Sequence, residues 1–379
     1  MFLAALLALD LLALFVGARW SAAAGRGAES FRTRELARAL AWCALCGAAF
    51  PLLAIFATSS GFAALRALGH ALFCVGLPLL GWCGARAWRR RSLWSGALLL
   101  VIFSAGELAY LWARRVEPYR LAVDTFVVDW PSPNDGAPAS EARLLKVALL
   151  ADLQTDVIGA HEEEIFRRLD EGRPDLVLFA GDYLQIPLSE PAQYERERAA
   201  LRRLFRTLTH APRYGFFGVW GDIDFASDVL EGTPVAMLDD AWAELPAEAP
   251  FQLYGLSLAS SRRELSSRML ARIASDRRAS LVLGHAPDFL APLIERGQSP
   301  WSFLALAGHV HGGQVVLPLL GPPITFSKVP SEVVDGSLQR LGGLSYVISR
   351  GLGMERGYAP RLRFACRPQL VFLELRLPT

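Results

Sequence analysis

The chain has 379 residues and a formal net charge of +2, without a long run of like charges, which argues against a nucleic-acid partner. Its mean hydropathy of +0.29 is too high for an ordinary soluble enzyme, and the apolar excess is concentrated in the first 113 residues. Two regions in different environments are therefore expected. Four of the five cysteines lie in the apolar region, so no disulfide framework can form in the remainder.

Four apolar stretches occupy the N-terminal 113 residues, and each is close to the roughly 20 residues that a membrane span requires. These stretches are Met1–Ala18, Leu40–Thr58, Leu68–Ala85 and Leu93–Ala113. The first alternatively resembles a signal peptide, although it lacks a basic start and contains Asp10. The pattern predicts an all-α bundle of four transmembrane helices over residues 1–113.

The distribution of arginine predicts the orientation of this bundle. The loops after the first and third stretches are rich in arginine, whereas the short second loop contains only Arg66. Basic loops remain on the cytoplasmic side, so the C-terminal region is expected outside the cytoplasm. Arg114 and Arg115, just after the fourth stretch, weaken this prediction without reversing it.

The remaining chain alternates between predicted strands and helices. Residues 114–143 form a linker with an extended segment over Arg120–Val128, followed by a Pro- and Gly-containing loop over Trp130–Ser140. Further strands are predicted at Leu145–Ala151, Asp175–Ala180, Tyr214–Trp220, Gln252–Leu258, Ser280–Leu283, Ser302–Ala307, Ser345–Ser349 and Leu370–Arg376. Helices are predicted at His161–Glu171, Tyr194–Leu208 and Glu264–Ser275. This alternation predicts an α/β fold in which a mixed sheet is covered by helices and a second sheet packs against the first.

Polar side chains follow five of these strands at the point where each strand ends. They are Asp152, Asp182, Asp222, His285, and the pair His309 and His311. A single aspartate at a strand end is usually a helix cap or a turn residue. His309 and His311 lie two apart and would face the same way in an extended chain, although two histidines in a surface turn would satisfy the same spacing. Because ligands gather at the carboxyl ends of strands, five such positions in series favour a metal site.

These motifs resemble those of the calcineurin-like metallophosphoesterases, and the resemblance covers roughly residues 145–377. The form Gly-His-x-His-Gly-Gly-Gln at Gly308–Gln314 is similar to the membrane-tethered bacterial branch of that superfamily. The segment Ser349–Gly353, and the run from Arg361 to Pro368, are similar to the same branch. The resemblance implies a four-layer α/β/β/α sandwich over residues 144–379. It also implies two divalent metal ions, such as Mn, Fe or Zn, which clamp a phosphate and generate a hydroxide nucleophile.

Carried over residue by residue, the resemblance assigns Asp152 and His311 to one metal ion. It assigns His285 and His309 to the other ion, with Asp182 bridging the two. Together with the multi-pass N-terminal region, this places the protein in a bacterial inner (plasma) membrane with an extracytoplasmic domain.

Three positions depart from the usual motifs. Gln154 replaces a metal-binding histidine, and its amide oxygen is a weaker, harder ligand. Asp222 replaces an asparagine and keeps an oxygen ligand. Ile223 replaces the histidine thought to protonate the leaving group, and isoleucine carries no proton to donate. Asp224 remains as the acid of the catalytic motif that would orient that histidine.

The departures leave two hypotheses about function. Loss of a general acid typically costs about 10²–10⁴-fold in rate, and less when the leaving group is already good, as in a phosphoanhydride. The leading prediction is a membrane-anchored, metal-dependent phosphoesterase acting on a phosphoester or phosphoanhydride, in a lipid-linked substrate. The alternative is a catalytically impaired membrane protein that binds metal or phosphate as a sensor or scaffold. Five intact ligands favour the enzyme.

Two other features each allow two interpretations. The apolar run Val315–Pro323 could enter the membrane or line a slot for a lipid chain, or it could be a covered strand and turn of the core. The arginines near the C-terminus could grip a second phosphate or an anionic head group, or they could be solvated surface residues. These arginines are Arg350, Arg356, Arg361 and Arg363.

Overall fold

The computed structural model describes residues 66, 69, 73, 76–89, 91–129, 143–276, 278–356 and 359–377. The chain divides into two compact units. One comprises Met1–Arg114 with Gly357–Arg361, and the other comprises Arg115–Arg356 with Leu362–Thr379.

The described part of the N-terminal region is helical, with α1 at Leu77–Arg89 and α2 at Leu93–Arg115. The segment Leu93–Tyr119 is the one helix in the described residues that is long and apolar enough to cross a membrane. Two predicted spans, Met1–Ala18 and Leu40–Thr58, lie outside the described residues. The third, Leu68–Ala85, is described only in part and overlaps the 13-residue α1. The predicted four-span bundle and multi-pass topology are therefore not supported beyond one candidate span.

The second unit is an α/β sandwich. Its strands are β1 (Ala122–Asp129), β2 (Arg143–Leu150), β3 (Leu176–Phe179), β4 (Phe216–Gly218), β5 (Val235–Met237), β6 (Ala241–Trp242), β7 (Phe251–Gly255), β8 (Ala279–Leu283), β9 (Phe303–Ala307), β10 (Leu338–Leu341), β11 (Leu344–Ile348) and β12 (Gln369–Leu377). Its helices are α3 (Ala160–Gly172), α4 (Pro191–Thr207), α5 (Leu258–Ser261), α6 (Ser267–Ser275) and α7 (Ala291–Arg296).

The described strands form two six-stranded mixed sheets. The first has the order β1-β12-β2-β3-β4-β5, and the second has the order β10-β11-β9-β8-β7-β6. The central strands of each sheet run parallel: β2 pairs with β3 and β3 with β4 in the first, and β7 pairs with β8 and β8 with β9 in the second. In each sheet, the loops that follow these parallel strands therefore leave from one edge.

Alternation along the buried strands produces the layers of the sandwich. In β2 and β3, Leu149 and Leu178 pack between the sheets, whereas Leu150 and Phe179 face the opposite side, against α3 and α4. In the second sheet, one face joins the same central core and the other packs against Met269 and its neighbours in α6. Successive side chains of a strand point to opposite faces, so strands covered on both faces are apolar throughout.

Each strand and helix predicted after residue 119 is present, with ends that differ by a few residues. The strands that the sequence did not predict are β5, β6 and β10, which have two to four residues and are only partly buried. Such short segments carry no continuous apolar run for periodicity to detect. The predicted loop over Trp130–Ser140 lies outside the described residues.

Candidate metal centre

The polar residues singled out in the sequence follow strands of both sheets. Asp152 and Gln154 follow β2, Asp182 follows β3, and Asp222 and Asp224 follow β4 in the first sheet. In the second sheet His285 follows β8, and the pair His309 and His311 follows β9. The two sets of loops meet, because the backbone N–H of His309 donates to both carboxylate oxygens of Asp152 at 2.9 and 3.0 Å.

Several of these residues have left-handed backbone conformations. The φ angles are 49° at Asp152, 59° at Asp182 and 73° at His309. Residues other than glycine seldom adopt such angles, and strained backbone of this kind clusters at functional sites. The tight packing extends to Gly221, where an added Cβ would lie 1.9 Å from Oδ1 of Asp182. The loop after β4 therefore approaches the Asp182 carboxylate as closely as only glycine permits.

Three ligand atoms of neighbouring residues lie close to Nε2 of His285. Its Nε2 lies 3.2 Å from Nδ1 of His309 and 3.6 Å from Oδ1 of both Asp182 and Asp222. Oδ2 of Asp222 lies 3.6 Å from the same His309 nitrogen. Ligands about 2.0–2.1 Å from a tetrahedral ion are separated from one another by about 3.4 Å. Asp222, His285 and His309 each offer a ligand atom within 4.8 Å of the others, and this spacing fits a divalent metal ion.

A backbone contact selects which nitrogen of His285 faces this cluster. Nδ1 of His285 lies 2.7 Å from the carbonyl oxygen of Ala180. A carbonyl can only accept, so Nδ1 carries the hydrogen and the lone pair of Nε2 faces the acidic residues. Metal-binding histidines commonly have this arrangement, in which the second ring nitrogen donates to a carbonyl or carboxylate.

A second group of donors contains Asp152, Asp182 and His285, all buried, with one ligand atom of each within 4.8 Å of the others. Next to it, Gln154 is 1% exposed, and its Oε1 is buried without a hydrogen-bond partner. An unpartnered buried carbonyl oxygen is costly, and a bound cation would satisfy it. The residues present therefore fit a second metal position.

Burial and mutual repulsion shift the pKa values of the acidic residues in the site. Burial raises the pKa of Asp152 to about 7, against the lowering effect of His285. Burial also raises the pKa of Asp182 well above its usual value, and Asp224 and Asp222 add to this effect. Carboxyl groups crowded in this way need nearby positive charge to ionise together.

The three histidines respond differently to the same surroundings. Burial lowers the pKa of His285, but the charges of Asp182 and its neighbours outweigh this effect and raise it to about 10. Burial, assisted by repulsion from His285, lowers the pKa of His309 to about 4. Burial and Arg363 hold the pKa of His311 well below its usual value. His309 and His311 are therefore neutral, whereas His285 must lose a proton to bind a cation; with the crowded carboxylates they then form a donor set suited to a divalent ion.

Asp224 contacts the backbone rather than another side chain of the catalytic motif. Its carboxylate accepts from the N–H groups of Asp182 and Tyr183 at 2.9 Å and of Gly221 at 2.7 Å. The contacts join the loops after β3 and β4. Ile223, the neighbouring residue, donates its backbone N–H to Oδ1 of Asp182 at 3.1 Å.

His311 lies outside both donor groups. Its Nδ1 is 3.3 Å from a terminal nitrogen of Arg363, which can only donate, so this ring nitrogen is an acceptor. Of the seven predicted ligands, the described structure therefore groups five: Asp152, Asp182, Asp222, His285 and His309. The ligand roles of all seven residues remain predictions.

The C-terminal arginines are engaged by groups of the chain itself. Arg363 is fully buried and donates to carbonyl oxygens that include those of Gly353 and Arg350. Arg350 pairs with Asp124 at 3.0 Å, and Arg356 pairs with Asp156. These three arginines therefore pair with groups of the chain itself, and Arg363 is not a solvated surface residue; a phosphate-gripping role for the others stays a prediction.

Some residues around the site carried no signal in the sequence. Glu355 accepts hydrogen bonds from the side-chain amides of Gln154 at 2.8 Å and Gln185 at 2.7 Å. Glu355 follows Gln154 by 201 residues and belongs to no local motif, so only the tertiary structure identifies this contact.

Exposed apolar side chains occur beside Ile223 and on the chain that follows His311. An apolar cleft of about 110 Å³ beside Ile223 is lined in part by Leu188 and Phe225, which are 78% and 72% exposed. On the chain following His311, Leu319 and Leu320 are also highly exposed, and Pro322 lies against Gly313. The run Val315–Pro323 is therefore not a covered part of the core, contrary to one of its two interpretations.

Comparisons with known proteins agree with the donor set. No family model matches the chain. The chain is 30% identical over 307 residues to the uncharacterized metallophosphoesterase YkuE of Bacillus subtilis, a match covering 74% of this chain and 94% of that protein. It is 38% identical over 95 residues to phosphodiesterase YaeI of Escherichia coli, covering 25% of this chain and 32% of that protein. A solved dimetal phosphatase from Danio rerio aligns with 61% of this chain and 93% of its own, at 12% identity and a TM-score of 0.35.

Proposed function

The chain belongs to the calcineurin-like metallophosphoesterase superfamily, and on this basis we propose that it is a membrane-anchored hydrolase of a phosphoester or phosphoanhydride. The observation that carries the proposal is the pair of donor groups that share His285, one with Asp222 and His309 and the other with Asp152 and Asp182. In each group one ligand atom of every residue lies within 4.8 Å of the others, a spacing that suits a metal ion.

The proposal assigns two divalent ions to the site. Asp182, Asp222, His285 and His309 would hold one, and Asp152 and Gln154, with Asp182 shared and His311 beside them, would hold the other. When bound, such ions polarise the phosphate and lower the pKa of a bound water.

The chain contributes positioning of its metal ligands. Ala180 orients the ring of His285, and Asp224 holds the backbone of Asp182. Arg262 donates to Oδ2 of Asp222 at 2.8 Å and restrains that carboxylate. Such supporting contacts keep metal ligands in the productive geometry.

The leaving group is the main restriction on the substrate. Ile223 occupies the position of the usual proton donor, so the chain supplies no imidazole there. Substrates whose leaving group departs as a stable anion, such as diphosphates, are therefore favoured over simple alkyl phosphates. The name of phosphodiesterase YaeI adds phosphodiesters to the classes worth testing.

We further propose that the substrate is lipid-linked. This proposal is supported by the apolar cleft beside Ile223 and by the exposed pair Leu319 and Leu320, which follow His311 in the chain. Exposed apolar patches of this kind typically mark binding surfaces. The apolar helix Leu93–Tyr119, directly before the α/β unit, would anchor that unit at a bilayer. The arginine distribution favours an extracytoplasmic location.

Hydrolysis by the purified full-length chain in detergent tests the enzymatic part. A phosphomonoester, a chromogenic phosphodiester and a diphosphate are assayed beside metal analysis of the same sample. We expect two bound ions and turnover that Asp182→Asn abolishes, whereas Asp239→Asn, at an exposed aspartate, preserves it. Bound metal without turnover of any of the three substrates would instead support the alternative, a metal- or phosphate-binding protein without catalysis.

The lipid-linked part has a separate test. Leu320→Ser and Phe225→Ser each remove exposed apolar surface without touching a proposed metal ligand. We expect both to raise KM about 10-fold for a lipid-linked diphosphate and to leave KM for a water-soluble diphosphate unchanged. Equal effects on the two substrates would contradict a lipid-binding role.

A further inference from the structure

The side-chain amide of Gln154 is held by one end only. Its Nε2 donates to Oε2 of Glu355 at 2.8 Å, while its Oε1 is buried without a partner. The residue is 1% exposed and has a φ of 38°, so bulk solvent does not reach this oxygen and an ordinary backbone preference does not account for its placement. A buried oxygen left free at a site of carboxylates and histidines is the feature that needs an explanation.

The surrounding hydrogen bonds determine which end of each amide is oxygen. The backbone N–H of Arg356 can only donate, and it donates to Oε1 of Gln185 at 2.6 Å. The Nε2 of Gln185 therefore faces Glu355, to which it donates at 2.7 Å. A carboxylate can only accept hydrogen bonds, so the second oxygen of Glu355 must also face a donor. In Gln154 that donor is Nε2. The chain of contacts thus excludes the flipped amide, in which Oε1 of Gln154 would face Glu355.

We infer that Glu355 is a positioning residue that reserves Oε1 of Gln154 as a ligand for a hard divalent cation. This inference rests on the proposed function, because it concerns the metal position of Asp152, Asp182 and Gln154. Glu355 has no proposed contact with a substrate. It acts through the amide of Gln154, and Gln185 holds it in place.

The two metal positions differ in the types of ligand atom that they offer. Two imidazoles, from His285 and His309, serve the position that includes Asp222. The position of Gln154 has two carboxylates, the amide oxygen and one imidazole, that of His285, while Nδ1 of His311 is 3.3 Å from Arg363. Oxygen ligands favour Mg²⁺ and Mn²⁺, whereas imidazole suits Zn²⁺ and Fe²⁺. The Gln154 position is accordingly the more favourable of the two for Mn²⁺ or Mg²⁺.

Mn²⁺ binding to the full-length chain tests the positioning role. The protein in detergent is stripped with a chelator and titrated with Mn²⁺, and equilibrium dialysis with metal analysis measures both affinities. Loss of an outer contact to a metal ligand typically weakens binding 10–100-fold. We expect Glu355→Gln, whose amide allows Gln154 to turn, to weaken one of the two affinities by that factor and to preserve the other. Glu248→Gln, at an exposed glutamate, should bind like the wild type.

A double variant separates positioning from a general structural role. If Glu355 acts through the amide, Glu355→Gln has no further effect in a Gln154→Ala background. An undiminished effect in that background, or unchanged affinities in Glu355→Gln alone, would overturn the inference. The preserved affinity at the second position reports in the same sample that the variant is folded.

A variant that keeps Glu355 provides the second measurement. Gln154→His exchanges the amide oxygen for an imidazole nitrogen, and we expect it to shift the preference at that position toward Zn²⁺ by at least about 10-fold. An unchanged metal preference would contradict an oxygen ligand at residue 154. This measurement does not depend on whether the Glu355→Gln variant folds. Because the readout is binding, a chain that binds both ions and hydrolyses nothing would contradict the proposed function and leave this inference standing.

Discussion

The carboxylate of Asp224 lies 2.9 Å from the backbone nitrogen of Asp182, which precedes it by 42 residues. Asp224 was identified from the sequence as the acid that orients a catalytic histidine, and Ile223 stands where that histidine would be. In the structure the same carboxylate joins two loops, accepting three backbone N–H groups. These contacts are a structural role for Asp224, whereas its catalytic role remains a prediction.

Asp224→Asn distinguishes these roles. The asparagine keeps one acceptor oxygen and points an NH₂ group at backbone donors, so we expect about 10–100-fold weaker metal binding and a lower Tm. Saturating metal should restore kcat to within a few-fold of the wild type. A kcat that remains 10³-fold lower at full metal occupancy would instead indicate a catalytic role for the carboxylate.

Gly221→Ala tests how closely the loop after β4 must approach Asp182. The added Cβ would lie 1.9 Å from Oδ1 and 2.4 Å from the backbone nitrogen of Asp182, so the carboxylate must move. We expect the bound metal at the Asp222 position to fall at least about 10-fold in affinity. Gly159→Ala is the matched control, because nothing lies within 4 Å of its added Cβ. Equal metal content in the two variants would contradict the prediction.

Ile223→His tests the cost of the missing proton donor. We expect kcat to rise by up to about 10²-fold for a substrate with a poor leaving group, such as an alkyl phosphate, and little for a nitrophenyl ester. Ile223→Asn introduces a polar side chain that does not titrate, and it should not raise kcat for either substrate. A similar increase for both variants, or for both substrates, would show that the effect is not proton donation.

Asp170 provides a pH-dependent prediction away from the metal centre. Its carboxylate accepts the backbone N–H groups of His210 and Thr209, each at 2.8 Å, and these bonds lower its pKa below the usual value. A pKa lowered by folding contributes stability above the unfolded value near 3.9, and this contribution is lost as the pH falls through the folded pKa.

Asp170→Asn should therefore lower the free energy of unfolding at pH 7 by roughly 1 kcal/mol, since the site is partly solvated. The difference from the wild type should begin to shrink near pH 4, where the unfolded carboxyl takes up its proton, and should be lost once the pH is below the folded pKa. Urea unfolding at pH 7 and pH 3.5 measures both values, with Asp239→Asn at an exposed position as the control. A difference that does not depend on pH would contradict a charge-based contribution.

The sandwich was predictable in outline because its central strands are buried on both faces and stand out as short apolar runs. The polar motifs at the strand ends could also be recognised from the sequence, since Asp182 and His309 each follow a glycine at a strand end. The exposure of Leu319 and Leu320 was not predictable, because an apolar run has the same composition whether the core covers it or leaves it open. The predicted transmembrane helices show a similar limit. Composition alone predicted four spans, and the described residues support one of them.

By itself, the sequence determined the α/β class, the superfamily and the donor types at each strand end, because these follow from local periodicity and short motifs. Only the tertiary structure decided that five donors meet, that Asp224 serves the backbone, and that Arg363 is buried against His311. It also decided which atom of Gln154 is free, through a contact with Glu355 across 201 residues. Such choices depend on how loops from two sheets pack together, and hydrogen bonds between distant segments leave no periodic trace in the chain.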